Sequence, residues 1–294
     1  MNDYQTTTYN IADIRISLNT PWEEETTKAF VPFVVENREA DWQIFFRSVQ
    51  QLETFSEHPL FCNRVFKVYQ KSSGVFVRQY HNDRIDGKVY AGTYTDPEKK
   101  QVLVEYLPEA IERFCSDKRD FFSIAFEKIM IEENAMILHA ACVDTPYGGI
   151  LFSGVSGAGK STQADLWCQY GQGRLINGDR PILKKTEGGW RAYGSPYAGS
   201  SGCHLAEDCK VRAIVLPKQS KNCAIRRISG TEMFKRVFSN LTLNMWDMDY
   251  VLKVSELTRQ MISEIPVYEL ECTKEKEAVL VLKELFEKES ERWS

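Results

Sequence analysis

The sequence predicts an α/β protein in which a β-rich N-terminal domain leads into a domain where strands alternate with helices. Three observations carry that expectation. Short runs of alternating apolar and polar residues, separated by turn formers, fill residues 9–107. Helical spacing takes over from Pro108. Further on, the apolar run Ile150-Leu151-Phe152 breaks into a glycine-rich loop that opens a helix.

Bulk properties narrow the class. The chain has 294 residues, 43% of them hydrophobic, enough for one large or two medium domains with a real core. A net charge of −4 argues against a nucleic-acid protein held by a basic face. No apolar run approaches bilayer length, and MNDYQTTTYN is too polar for a secretory signal. The expectation is a soluble, cytoplasmic protein that engages neither membrane nor nucleic acid. Eight cysteines in a chain of this size, without a signal, read as free thiols. The one local cluster is Cys203, His204 and Cys209, and a structural zinc site needs a second close ligand pair.

In the leading domain, 1–107, Ile14, Ile16 and Leu18 alternate with Arg15 and Ser17 as in a half-buried strand. RVFKVYQ and GVFVRQY flank Lys71-Ser72-Ser73-Gly74, which reads as a hairpin turn, and KVYAGTY and QVLVEYL follow as strands. A short helix is expected near 23–30. His58 and His81 stand alone beside turn residues and read as surface groups. Pro108 and Glu109 suit a first helical turn. Helical spacing through Ile111, Phe114, Phe122, Phe126 and Ile129 then makes 108–133 a helical connector.

The second domain, 134–294, should begin with strands AMILHAACV and GGILFSG, a helix at about 160–170, and a short strand RLIN. AIVL and CAIRRIS read as a hairpin, Thr231 to about Ile262 as one long helical tract, and PVYELEC as a strand. A last helix from about Thr273 should bury Val279, Leu282, Leu285 and Phe286.

Gly154-Val155-Ser156-Gly157-Ala158-Gly159-Lys160-Ser161 satisfies G-x-x-x-x-G-K-[ST], and Thr162 follows it. Small residues let successive backbone N–H groups turn inward around anionic oxygens, and the following helix aims its positive end at the same place. Lys160 would supply a point charge to the β- and γ-phosphates, and Ser161 a hydroxyl to Mg²⁺. Ala164, Trp167 and Cys168 should give that helix its apolar face. The competing explanation is a glycine-rich turn without a ligand, which the strand–loop–helix context disfavours.

Two polar residues should converge on this loop. With Asp144–Gly148 as a turn and Val143 opposite Gly149, the hairpin register sets His139 opposite Ser153. A histidine satisfied within the sheet remains the alternative. Asp179, in RLINGDRP, lies nineteen positions after Lys160, just past the next strand, where ligands gather in such sheets. A carboxylate there can hold Mg²⁺ or take a proton from a hydroxyl attacking the γ-phosphate. Asn-Gly-Asp-Arg-Pro is also simply a turn former. Tyr193 to Ser201, rich in small and hydroxyl residues, is either a substrate wall or a surface loop.

HAACVDTPYGGILFSGVSGAGKSTQADLWCQYGQGRLINGDRPIL resembles the catalytic core of the HPr serine kinase/phosphorylase family, whose P-loop fold is similar to that of phosphoenolpyruvate carboxykinase. The resemblance spans residues 134–185. YGSPYAGSSG, VRAIVLPKQSKNCAIRRIS and IPVYELECTKEKEAVLVLKEL are similar to segments of HPr-kinase-related proteins. It implies that Gly154 to Thr162 bind nucleotide phosphates with Ser161 on the metal, that His139 is the active-site histidine, and that Asp179 is the second acid of a D-D-R element. Gly178 stands where the first acid would be, so one carboxylate would serve metal and proton transfer alike. The glycine- and charge-rich second motif of HPr kinases is absent. The implied activity is an ATP- and Mg²⁺-dependent kinase acting on a hydroxyl of a small protein, peptide or small molecule, as a homo-oligomer if the family pattern holds. A carboxykinase-like enzyme and a non-catalytic nucleotide-binding regulator are the other two readings. No N-K-x-D motif follows the loop, which disfavours a GTPase.

Overall fold

The computed structural model describes residues 4–22, 28–36, 39–81, 87–110, 124–197, 199–203 and 205–291. The protein is mixed α/β, and its chain divides into two compact units, Met1–Glu133 and Asn134–Ser294.

The first unit holds a nine-stranded sheet: β1 (Gln5–Ile11), β2 (Ile14–Thr20), β3 (Val34–Val35), β4 (Trp42–Ser48), β5 (Phe61–Cys62), β6 (Phe66–Gln70), β7 (Phe76–His81), β8 (Val89–Asp96) and β9 (Gln101–Tyr106). Their order is β3-β1-β2-β4-β9-β8-β7-β6-β5. Period-two alternation decides which side chains enter the core: Ile14, Ile16 and Leu18 of β2 are buried, as are Trp42, Ile44 and Phe46 of β4. β6 and β7 pair antiparallel with Gln70 opposite Phe76, closed by Gly74 at φ +86°. His58 is exposed, but His81 is buried at 4% because it continues the inward side of β7 rather than beginning a turn. The helix expected near 23–30 falls largely on 23–27, outside the described residues, and Lys28–Phe33 forms a 3₁₀ turn. Of the expected connector, 111–123 also lies outside the described residues. Its ends are a 3₁₀ turn at Pro108–Ala110 and α1 (Phe126–Glu132). Glu127 of α1 accepts a charge-assisted bond from the nearly buried Arg78.

The second unit holds another nine-stranded sheet. Its elements run β10 (Ala135–Ile137), β11 (Ala140–Asp144), β12 (Gly149–Ser153), α2 (Lys160–Tyr170), β13 (Arg174–Asn177), β14 (Ile182–Thr186), β15 (Gly189–Tyr193), β16 (Asp208–Gln219), β17 (Ala224–Ile228), α3 (Gly230–Phe238), α4 (Met248–Glu264), β18 (Val267–Cys272) and α5 (Glu277–Glu291). The path β10-β14-β15-β16-β12-β11-β13 is joined at β16 by β18, which carries β17 on its far side. β12, β16 and β18 run parallel, so their carboxyl ends, Ser153, Gln219 and Cys272, lie along one edge. Phe152, Val215 and Leu270 from these strands meet Trp167 of α2 and Val279, Leu282 and Phe286 of α5 in one buried cluster.

Several sequence expectations change here. AIVL and CAIRRIS do not form a hairpin: β18 inserts between them, parallel to β16 and antiparallel to β17. The reason is burial. β18 is almost wholly buried and takes a two-sided ladder, while polar β17 suits an edge. The helical tract breaks into α3 and α4, with Asp247 capping α4 by accepting from the Tyr250 N–H at 3.0 Å. The last helix begins at Glu277 rather than Thr273, and Leu285 is only partly buried. On α2, Ala164 and Trp167 are buried as expected, but Cys168 is exposed and Leu166 completes the apolar face instead.

Glu269 on β18 binds this edge together, accepting from Arg226 Nε at 2.8 Å and Arg236 Nη1 at 2.6 Å. Burial pushes its carboxyl up, but the two arginine bonds outweigh burial and hold it below the usual glutamate range. A depressed folded value means the stabilisation is present above the unfolded pKa and vanishes as pH falls through the folded one. Glu269→Gln is therefore expected to cost about 1 kcal/mol at neutral pH. The gap from wild type should close below about pH 4 in urea unfolding series. An equal gap at both pH values would contradict this account.

Candidate functional site

The glycine loop connects the carboxyl end of β12 to α2. Gly154, Gly157 and Gly159 hold φ values of +141°, +79° and +104°, a region that side chains with a Cβ rarely enter. Gly159 is the N-cap of α2 and makes no side-chain cap bond. The loop curls around its own lysine: Lys160 Nζ donates to Gly154 O at 2.9 Å and Val155 O at 3.2 Å. Burial lowers the pKa of this ammonium, and Asp179 opposes that effect. From the end of β16, Gln219 Nε2 donates to Gly157 O at 3.1 Å and ties the loop to the strand edge.

His139 sits at a break rather than inside a strand. The expected strand AMILHAACV divides into β10 and β11, which join different neighbours. The intervening backbone is held from two sides. Leu138 N donates to Pro181 O and Ala140 N to Asp179 O, while His139 N donates to Asn240 O. The stretch between α3 and α4 is thus the clamp that keeps this bend, with Leu138 bridged to Leu241. The β11–β12 register is Val143 with Ile150 and Ala140 with Ser153, one residue from that expected. The turn is shorter than Asp144–Gly148 because Thr145 and Gly148 close it, through Thr145 Oγ1 to Gly148 O at 2.7 Å. Ser153 Oγ still reaches His139 O at 3.0 Å.

Asp179 follows β13 and meets this bend. Its Oδ1 lies 3.3 Å from His139 Nε2, and its Oδ2 lies 3.8 Å from Arg180 Nε. The His139 hydrogen bond, then the Arg180 and Lys160 charges, hold the carboxyl below its ordinary range against the opposing effect of burial. Arg180 in turn donates to Thr242 Oγ1 at 3.2 Å.

A cleft of about 410 Å³ opens at the strand edge. Ser156 to Gln163 form one wall, His139, Gly178, Asp179 and Ser200 another, and Gln219, Thr273 and Lys274 a third. The expected residues Ser156, Gly157, Ala158, Gly159, Lys160, Ser161, Thr162, His139 and Asp179 therefore share one space. Gly154 and Val155 do not line it and instead offer their carbonyls to Lys160. Asp179 is the one acidic residue among the described residues lining the cleft. No group of three His, Cys, Asp or Glu among the described residues is placed to hold a metal ion.

Sequence reasoning missed Asn177, Gln219 and Lys274. A buried asparagine ending a strand beside a turn was a signal for the first; nothing local marked the other two. Of Tyr193 to Ser201, Ser195 is buried and Ser200 lines the cleft, while 198 lies outside the described residues. A Cβ on Gly199 would fall 2.6 Å from Asp179 Cβ, so this loop leans directly on the carboxylate. Cys203 and Cys209 are free thiols, and His204 lies outside the described residues.

Among the described residues no helix is long and apolar enough to cross a membrane. No protein-family model matches the chain. No curated protein matches it in sequence.

Proposed function

We propose that this chain is a cytoplasmic ATP- and Mg²⁺-dependent kinase of the HPr-kinase-like class, with a P-loop core, transferring the γ-phosphate to a hydroxyl of a small protein or peptide. The observation that carries the reading is the convergence of Lys160, Ser161 and Asp179 on one cleft at the carboxyl ends of parallel strands. The triphosphate would lie against the loop, with the positive end of α2 and Lys160 facing its β/γ oxygens. Asp179 then orients the acceptor hydroxyl and takes its proton as the oxygen attacks γ-phosphorus and ADP leaves. His139 fixes the carboxylate's orientation.

Asp179 and Ser161, a carboxylate and a hydroxyl lining the same cleft, are oxygen donors of the kind a divalent cation takes and would hold it there together with the nucleotide. When bound, Mg²⁺ neutralises charge on the transferring phosphate. A second reading, a regulator that binds nucleotide without chemistry, is favoured by Gly178, which leaves Asp179 without a second acid.

Calorimetric titration with Mg-ATP is expected to give measurable heat and to protect amides of 154–162 from exchange. Neither signal appearing would overturn both readings. Binding without phosphate transfer to any extract protein, metabolite or water would leave the regulator.

A further inference from the structure

Asn177 ends β13, is fully buried, and spends its entire carboxamide on two segments. Oδ1 accepts from the backbone N–H of Asp179 at 3.0 Å and of Arg180 at 2.7 Å. Nδ2 donates to Ser195 O at 3.1 Å and Tyr197 O at 2.9 Å. An asparagine has two donors and two acceptor lone pairs, so this side chain is saturated. Ser195 completes the tie: its Oγ donates to Arg180 O at 2.6 Å and accepts from Tyr197 N at 3.2 Å. The turn carrying Asp179 and the segment leading to Ser200 are therefore one hydrogen-bonded body. A carboxamide is the side chain that can do this, since one half must accept from two amides while the other donates to two carbonyls.

We propose that Asn177 is a positioning residue for phosphoryl transfer, holding Asp179 toward His139 and the cleft and locking it to the loop whose Ser200 forms the acceptor-side wall. The proposal rests on the kinase reading. It assigns Ser195, Tyr197 and Ser200 a place in that site that the glycine motif alone does not give them. Asn177 lies among neither the glycine-loop residues nor those lining the cleft. Its loss should therefore act on the carboxylate and spare nucleotide binding.

The test is Asn177→Ala, followed by phosphate release from Mg-ATP with water as acceptor. The expected result is a fall in kcat of about 100-fold, the scale of a misplaced catalytic group, with KM for Mg-ATP within about 2-fold. The discriminating readout is a cycle with Asp179→Asn. A residue acting through Asp179 costs little once the carboxylate is gone, whereas general damage lowers the rate equally in both backgrounds. Equal losses, or a raised KM at unchanged kcat, overturn the proposal. Should Asn177→Ala fail to fold, Ser195→Ala cuts the same tie at Arg180 O and enters the same cycle. Amide exchange separates this inference from the kinase reading. The Asp179 and Arg180 N–H groups should exchange faster in the variant while those of 161–167 do not. Unchanged exchange at Asp179 and Arg180 sinks the positioning role even in an active enzyme. A wild-type chain that transfers phosphate to no extract protein, metabolite or water, yet shows the expected exchange pattern, sinks the kinase reading instead.

Discussion

Lys160→Ala is expected to lower turnover of Mg-ATP by at least about 10³-fold. Two donors of the ammonium are already committed to Gly154 O and Val155 O, which fixes where its remaining N–H points. An incoming phosphate thus meets a charge that is already oriented, and no reorganisation is needed as negative charge moves toward the leaving oxygen. Removing the side chain deletes the cation and frees the loop carbonyls at once. The fold should survive, because Lys160 is outside the buried cluster of Trp167, Phe286 and their neighbours. Thermal unfolding within a few degrees of wild type, alongside lost binding heat, is the expected pair of results. Lys160→Arg should be almost as damaging, since a planar fork cannot reproduce a point donor held by two carbonyls. Near-normal turnover in either variant would mean that the loop does not handle the triphosphate.

What the sequence disclosed about this site was local, and what it hid was long-range. An apolar strand, three glycines and a lysine opening a helix are neighbours in the chain, so β12, the loop and α2 were readable with their boundaries. Hairpins such as β6–β7 were readable for the same reason, since a two-residue period and a turn specify both strands together. The break at Leu138–His139 was not. AMILHAACV has the composition of one continuous strand, and it divides because Pro181, Asp179 and Asn240 bind its backbone from distant segments. The gap between α3 and α4 has the same cause: Asn240 and Thr242 leave the helix to pair with His139 and Ile137. Asp247, a good N-cap residue, was the local clue that a new helix starts there. The insertion of β18 between β16 and β17 had no local trace, because strand order is decided by which strand can be buried on both edges.

Asp179→Asn is the second large effect, an expected loss of about 10²–10⁴-fold in phosphate transfer with affinity for Mg²⁺-free ATP retained. The substitution keeps the size of the side chain and leaves an oxygen to accept from His139, so position is conserved and only charge and basicity are lost. That makes the change diagnostic. If Asp179 serves merely as the acid that satisfies His139, asparagine should do nearly as well, and transfer should stay near wild type. If it takes the acceptor proton, transfer falls whatever the nucleotide affinity. Among the described residues lining the cleft it is the single acid, with Gly178 beside it, so none of the other lining residues can take over as a carboxylate. ATP without Mg²⁺ should bind the variant at least as tightly as wild type, because one negative charge facing the phosphates has gone. The same experiment decides between the two readings of the site. A regulator has no transfer to lose, so calorimetry would find nucleotide bound by both proteins, and phosphate release would be equally absent from each.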